Sequence, residues 1–314
     1  TGILWTTGKL KFMDDAYRRQ VELLIRCLPE VEKETCFALK GGTAINLFVR
    51  DMPRLSVDID LLYLPIEPRE QTLIHIQEAL TRISDNIQKS VAGSIVTPAV
   101  DNQHITKLNI RHNGVQIKIE PNIVQRGAIL EIEAHELCSR AEEEYEVRAT
   151  ANTIAITELY GSKITAALDR QHPRDLFDVH LLFANEGLTD DTRKAFVVYL
   201  ASHNRPMSEL LDPNYKDIED LYETQFRGMA RDPIDLGELL KTRDILVKKV
   251  RDELTDNERS FLISIKSGEA DFALLDMPDI ERLPGLQWKI QNVRRMKENL
   301  RLELLEELKR LLGI

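Results

Sequence analysis

The sequence predicts an α+β protein, with strands and helices mixed over residues 10–185 and a helical part over residues 186–314. Three observations predict it. Short runs rich in Val, Ile, Leu and Tyr alternate with amphipathic segments before Glu186. An Asn113-Gly114 dipeptide joins two alternating runs in a hairpin signature. Beyond Glu186 a helical apolar period dominates.

Taken in order, Ala16, Tyr17, Val21, Leu24, Ile25 and Leu28 recur at helical spacing, with Asp14 as the N-cap and Pro29 near the stop. Phe37 to Lys40 reads as a strand leading into Gly41-Gly42-Thr43, and Ala44 to Val49 as a short helix ended before Pro53. Ser56 to Leu64 reads as a strand with Asp58 and Asp60 embedded in it. Glu70 to Ile87 is amphipathic and helical. His104 to His112 and Val115 to Ile119 form the hairpin, because Asn-Gly supplies the positive φ angles of a primed turn. A short strand is expected over Thr153 to Ile156. Helices follow over Glu158 to Leu168 and Asp175 to Phe183, broken at Pro173. Later helices are read over Asp191 to Ala201, Pro233 to Leu254 and Glu258 to Ser267. The stripe Ile290, Val293, Met296, Leu300, Leu304, Leu308 and Leu311 predicts one long core-packing helix from Trp288 to Leu312.

Composition bounds the function. The 314 residues are 43% hydrophobic and 30% charged, as expected of a folded chain with a soluble surface. No stretch approaches the roughly 20 apolar residues that cross a bilayer, and Thr1-Gly2-Ile3-Leu4-Trp5 lacks the parts of a signal peptide. Without a leading Met, Thr1-Gly2 reads as a cloning scar. A cytoplasmic protein is expected, with no membrane partner. Cys27, Cys36 and Cys138 include no Cys-x-x-Cys pair and read as reduced thiols. His135-Glu136 reads as structural and a zinc site as absent. The net charge of −10 argues against a surface that wraps nucleic acid nonspecifically, yet leaves room for a local basic groove.

The chemistry concentrates in two neighbouring stretches. On a strand, Asp58 and Asp60 share a face about 6–7 Å apart. Two carboxylates so placed repel each other unless a cation joins them, and oxygen ligands suit Mg²⁺ or Mn²⁺. Gly41, Gly42 and Thr43 let the backbone approach a ligand where a helix start offers N–H groups to phosphate. Gly-Gly alone reads as a loop and Asp-x-Asp alone as a solvated strand face. A phosphate cradle followed by paired carboxylates is what nucleotidyl transfer requires.

The run GGTAINLFVRDMPRLSVDIDLLYL resembles the AbiEii/AbiGii toxin group of nucleotidyltransferases, within the polymerase-β superfamily. Its pattern is Gly-Gly-Thr-Ala, a variable gap, then Arg-x-Ser-x-Asp-(Ile/Leu)-Asp. A second block runs from Glu158 to Arg170 and on through Pro173-Arg174-Asp175-Leu176-Phe177-Asp178. LTDNERSFLISIKSGEADF and LPGLQWKIQNVRRM follow near the C-terminus.

The resemblance implies a mixed-sheet polymerase-β-like core followed by a helical domain. It implies transfer of a nucleoside monophosphate from an NTP to an acceptor hydroxyl, with a divalent metal, in a toxin–antitoxin or phage-defence setting. RNA is the implied acceptor, with the tRNA 3′ end favoured, and an antitoxin the implied partner. Gly41, Gly42, Thr43 and Ser56 would lie at the nucleotide, Asp58 and Asp60 at the metals, and Lys163 at the triphosphate. Asp178 would be the acidic residue of the later motif. Glu120, after Ile117-Lys118-Ile119, is the candidate third carboxylate, as metal ligand or as general base. An exposed strand-end glutamate explains it equally. Lys163 also reads as a solvated helix lysine. Arg170, Arg174, Asp175 and Asp178 could form a structural ion network, the preferred reading for Arg170 and Asp175. Modification of a small molecule or protein, and an inactive nucleotide-binding module, are the alternatives.

Overall fold

The computed structural model describes residues 15–314. Asp14, expected as an N-cap, and the opening Thr1 to Trp5 lie outside the described residues. Helix α1 (Asp15–Val31) buries Val21, Leu24, Ile25 and Leu28, and Pro29 sits inside its last turn without ending it. Strand β1 (Phe37–Lys40) leads directly into α2 (Gly41–Ala44), which continues as a π-helical turn over Ile45–Val49. Strand β2 (Asp58–Tyr63) is shorter than the sequence suggests at its start. Helix α3 (Arg69–Ser90) precedes β3 (Ile95–Asp101), β4 (His104–His112) and β5 (Val115–Arg126). Asn113 and Gly114 both take positive φ (47° and 79°), as the hairpin between β4 and β5 requires.

Strand β6 (Glu133–Glu136), helix α4 (Ser139–Tyr145) and β7 (Thr150–Thr153) close the sheet. The strand expected over Thr153 to Ile156 thus lies three residues earlier, because Ile156 already opens α5 (Ile156–Arg170). Pro173 does not merely separate two helices. It occupies the first position of α6 (Pro173–Asn185), and the His172 side chain accepts from Arg174 N at 3.1 Å as the N-cap.

The seven strands run in the order β3-β4-β5-β2-β1-β7-β6. Strand β2 pairs antiparallel with β1 and parallel with β5, so the sheet is mixed. Sequence reading misses both edge strands. Strand β3 carries Pro98 and exposes Ile95 and Val100, which an edge tolerates and an alternation test does not detect. Strand β6, Glu-Ala-His-Glu, is too polar to read as a strand; its pairing with β7 forms it.

The remaining helices are α7 (Asp190–Ser202), α8 (Met207–Leu211), α9 (Glu219–Gln225), α10 (Leu236–Asp252), α11 (Asp256–Ser267), α12 (Pro284–Arg295) and α13 (Glu298–Leu312). A capping box starts α11: Glu258 N donates to Thr255 Oγ1, and Thr255 N donates to the Glu258 carboxylate. The single helix expected from Trp288 to Leu312 is not formed. Met296 (ψ 149°) and Lys297 (ψ 135°) are extended and separate α12 from α13. Helix α12 packs on α7, α11 and β5, whereas α13 packs on α11 and α8. A straight rod at about 1.5 Å per residue could not follow both surfaces. Ile290, Val293 and Leu308 of the stripe are buried, but Leu300 is exposed.

Helix α5 is central: it contacts α2, α6, α7 and α10. Its crossing with α7 depends on Gly161. A Cβ there would lie 2.6 Å from Phe196 N and 2.8 Å from Ala195 C, both backbone atoms. Gly161→Ala gains about 1 kcal/mol of helix propensity but must separate two buried helices, which costs about 1–3 kcal/mol. Strain wins, and the urea midpoint is expected to fall; a midpoint above that of the unsubstituted protein would contradict the close crossing.

Candidate active site

The site forms where β1, β2 and β5 present one face to α5. Along β2, Ile59 and Leu61 enter the core while Asp58 and Asp60 stay partly exposed on the other face. Register then brings partners beside them. Lys40 is the Cα partner of Asp60 across β1, and Lys118 and Glu120 are those of Asp58 and Asp60 across β5. A cleft of about 150 Å³ is lined by Gly42, Ser56, Asp58 and Lys163, among others. A second, of about 400 Å³, is lined by Lys40, Gly41, Tyr199 and His203. Both include Asp60, Glu120, Lys163 and Arg170, so they are two lobes of one site.

The glycine pair is fitted against this face. Gly41 has φ +71°, and a Cβ on it would stand 2.4 Å from Asp60 Oδ2. A Cβ on Gly42 would stand 2.6 Å from Arg54 Nη2. Both positions therefore exclude side chains, because Asp60 and Arg54 pack directly against the glycine backbone. Thr43 behaves differently from the expectation. It is fully buried, and its hydroxyl donates to the Asp58 carbonyl at 2.5 Å and lies 2.9 Å from Ser56 Oγ. Thr43 thus fixes the start of β2 and lines neither lobe.

Beneath the site lies a buried ion network. Arg54 donates to Asp178 through Nε (2.8 Å) and Nη2 (2.6 Å) in a two-bond fork. Asn46 Nδ2 donates to Asp178 Oδ1 (3.1 Å) and to the Gly42 carbonyl (2.9 Å), linking the network to the glycine turn. Lys163 Nζ lies 2.9 Å from Asp175 Oδ1 and 3.1 Å from Asp178 Oδ2. Arg170 also pairs with Asp175, at 2.8 Å. Burial alone would raise both carboxyls. For Asp175 the cations Lys163 and Arg170 outweigh it, and for Asp178 Arg54 and Lys163 do, so both stay below the ordinary carboxylate range. The network reading thus fits Arg170 and Asp175. It extends to Asp178, which is fully buried and lines neither lobe.

Asp60 has the opposite balance. Burial and the neighbouring Asp58 charge push its pKa up, against Lys163, Lys40 and Arg170. Among the described residues no hydrogen bond or ion pair reaches its carboxylate, while Asp58 has only Arg174 at 3.8 Å. Glu120 faces the cleft but pairs with Lys107 at 2.9 Å and is about half exposed. Among the described residues no three His, Cys, Asp or Glu side chains cluster as a ready-made metal site.

Sequence reading gave no role to Asn46 or Lys40. Asn46 sits one helical turn after Gly42, a spacing that could have been noticed. Lys40 lies beside Asp60, 5.5 Å over the Tyr199 ring, and burial lowers its pKa. Tyr199 in turn donates to Glu158 at 2.9 Å, and Glu158 also accepts from Ile129 N and Leu130 N. Only the fold reveals that chain of contacts. The three cysteines are unpaired, and among the described residues no helix is long and apolar enough to cross a membrane.

The family described as nucleotidyl transferase AbiEii toxin, type IV TA system, matches residues 22–292. No curated protein matches the chain. Among solved structures, the chain is similar to MenT4, a nucleotidyltransferase toxin from Mycobacterium tuberculosis H37Rv, with a TM-score of 0.60 at 14% identity, over 94% of this chain and 93% of that one. That likeness is one of fold. The family match spans most of the sequence and includes the glycine turn, the paired aspartates and the Lys163 helix. The chain therefore belongs to the AbiEii family, the nucleotidyltransferase toxins of type IV toxin–antitoxin systems.

Proposed function

We propose that this protein transfers a nucleoside monophosphate from an NTP to the 3′ hydroxyl of an RNA, tRNA favoured, releasing pyrophosphate. The observation that carries the reading is the projection of Asp58 and Asp60 from β2 into the cleft that Gly41, Gly42, Ser56 and Lys163 also line. A divalent metal, Mg²⁺ or Mn²⁺, fits there because two partly buried carboxylates share a face and, among the described residues, no cation is bonded to Asp60. Asp58 and Asp60 would hold it, with Glu120 joining as third carboxylate on leaving Lys107. When bound, the metal would polarise the phosphates and neutralise charge on the departing pyrophosphate.

The chain's own groups supply binding and orientation. Gly41 and Gly42 would meet phosphate with backbone alone, and Ser56 adds a hydroxyl. Lys163 meets the triphosphate as a point charge, exchanging part of its contact with Asp175 and Asp178 for phosphate oxygens. Thr43 and Asp178 act as positioning residues, the first through β2 and the second through Arg54 and Lys163. Glu120, on the open side of the cleft, is placed to accept the attacking hydroxyl's proton. Reduced thiols and these substrates suit the cytoplasm. A cognate antitoxin would restrain the activity.

The test is incubation with each α-radiolabelled NTP in turn, Mg²⁺ and total tRNA. Label is expected in the RNA, with one NTP preferred, and is expected to vanish with EDTA. Label found only on protein or on small molecules would reject RNA as the acceptor. NTP binding without turnover on any acceptor would reject the enzyme.

A further inference from the structure

Beside the reaction cleft opens a wider groove of about 940 Å³. It shares Asn122, Gln125 and His203 with the larger cleft lobe, so the two are continuous. One wall is a face of α12 that presents Trp288 and, about two turns on, Arg294. The other wall is the start of α3, with Arg69, and the end of β5, with Arg126.

Charge in this groove reverses that of the whole chain. Arg69, Arg126 and Arg294 line it against a single acid, Glu67, in a protein of net charge −10. Glu67 is already engaged by Tyr63 Oη (2.7 Å) and His75 Nδ1 (3.1 Å). Arg294, which lines the groove, donates through Nε to the Gly268 carbonyl at 2.8 Å, which anchors the guanidinium there. Arg69 is exposed and, among the described residues, held by a long 3.4 Å contact to the Ile123 carbonyl. Trp288 is 47% exposed. A lone exposed aromatic needs no explanation, but this one lines a concave wall together with arginines, in a groove continuous with the cleft that Asp60 lines.

We propose that this groove carries the single-stranded 3′ end of the acceptor RNA, with Trp288 stacking on a base and Arg69 and Arg294 pairing with backbone phosphates. Aromatic platforms combined with a basic track are how proteins hold single strands, and stacking accepts any base. A small acceptor would need neither. The assignment rests on the nucleotidyl-transfer reading, because that reading makes the cleft the place where a 3′ hydroxyl must arrive.

The chain has two tryptophans, Trp5 and Trp288, so in a Trp5→Phe protein all indole emission comes from Trp288. A single-stranded RNA dodecamer, added without NTP, is expected to quench that emission. Fluorescence anisotropy of the 5′-labelled dodecamer should show roughly ten-fold weaker binding for Trp288→Ala. Arg69→Gln with Arg294→Gln should flatten the dependence of log affinity on log salt by about 1.4, near 0.7 for each phosphate contact to a single strand. Equilibrium dialysis with radiolabelled NTP should show unchanged nucleotide affinity in these variants. Binding without quenching, unaltered affinity in the Trp288 variant, or equal binding of a blunt duplex would overturn the groove assignment. Quenching and variant effects without any transfer onto RNA would uphold the groove and strike instead at the catalytic reading.

Discussion

Asp58→Asn and Asp60→Asn are each expected to lower nucleotidyl transfer by about three orders of magnitude while leaving the protein folded. Asparagine keeps the volume of the side chain and removes the charge. The two aspartates repel each other across one strand face, and Asp60 has no hydrogen bond or ion pair among the described residues to offset its burial. Its ionised form is thus a cost to the folded state. Loss of charge should then leave thermal stability equal or higher as activity collapses. A second reading comes from Mg²⁺ titration: the unsubstituted protein should gain stability with Mg²⁺, and the Asp60→Asn protein should gain much less. If both variants kept transfer activity within ten-fold of the parent, Asp58 and Asp60 could not be the metal carboxylates. Initial rates with saturating NTP, beside melting curves, measure both quantities.

Asp178→Ala is expected to act in the opposite sense, through stability first. Arg54 is 2% exposed and Asp178 fully buried, and the pair is joined by two short hydrogen bonds. Removing the carboxylate leaves the Arg54 guanidinium without its main partner and deprives Lys163 of one of its two anions. Breaking one side of a buried pair costs about 3–5 kcal/mol, mostly because the orphaned charge stays desolvated. The urea midpoint should drop sharply with little change in slope.

Acid should reproduce part of this loss. Asp175 and Asp178 titrate below their unfolded value of about 3.9 because nearby cations overcome burial. Their contribution is therefore present above that value and disappears as the pH falls through the lower folded values. Acid unfolding is expected to set in below about pH 4, and Asp178→Asn should shrink the pH dependence there. A variant with parental stability would show that the Arg54–Asp178 pair is not worth its desolvation.

Local chemistry in the sequence determined a good deal by itself. Alternation and the Asn113-Gly114 turn fixed the β4–β5 hairpin, because two-residue periodicity and positive φ are properties of the residues themselves. The two-residue spacing of Asp58 and Asp60 placed both carboxylates on one face for the same reason. The glycine turn next to them was legible too. Tertiary structure decided what those groups meet. Sequence gives no direct measure of separation across 132 residues, the interval at which Asn46 reaches Asp178, or of the 124 that divide Arg54 from it. Thr43 could be read as a phosphate ligand until packing turned its hydroxyl onto β2. The apolar stripe from Ile290 to Leu311 fits one helix equally well as two. Only the competing surfaces of α7 with β5 on one side and of α8 on the other break it at Met296. Likewise, the net charge hid a basic groove, since charge segregation depends on which residues the fold brings to one wall.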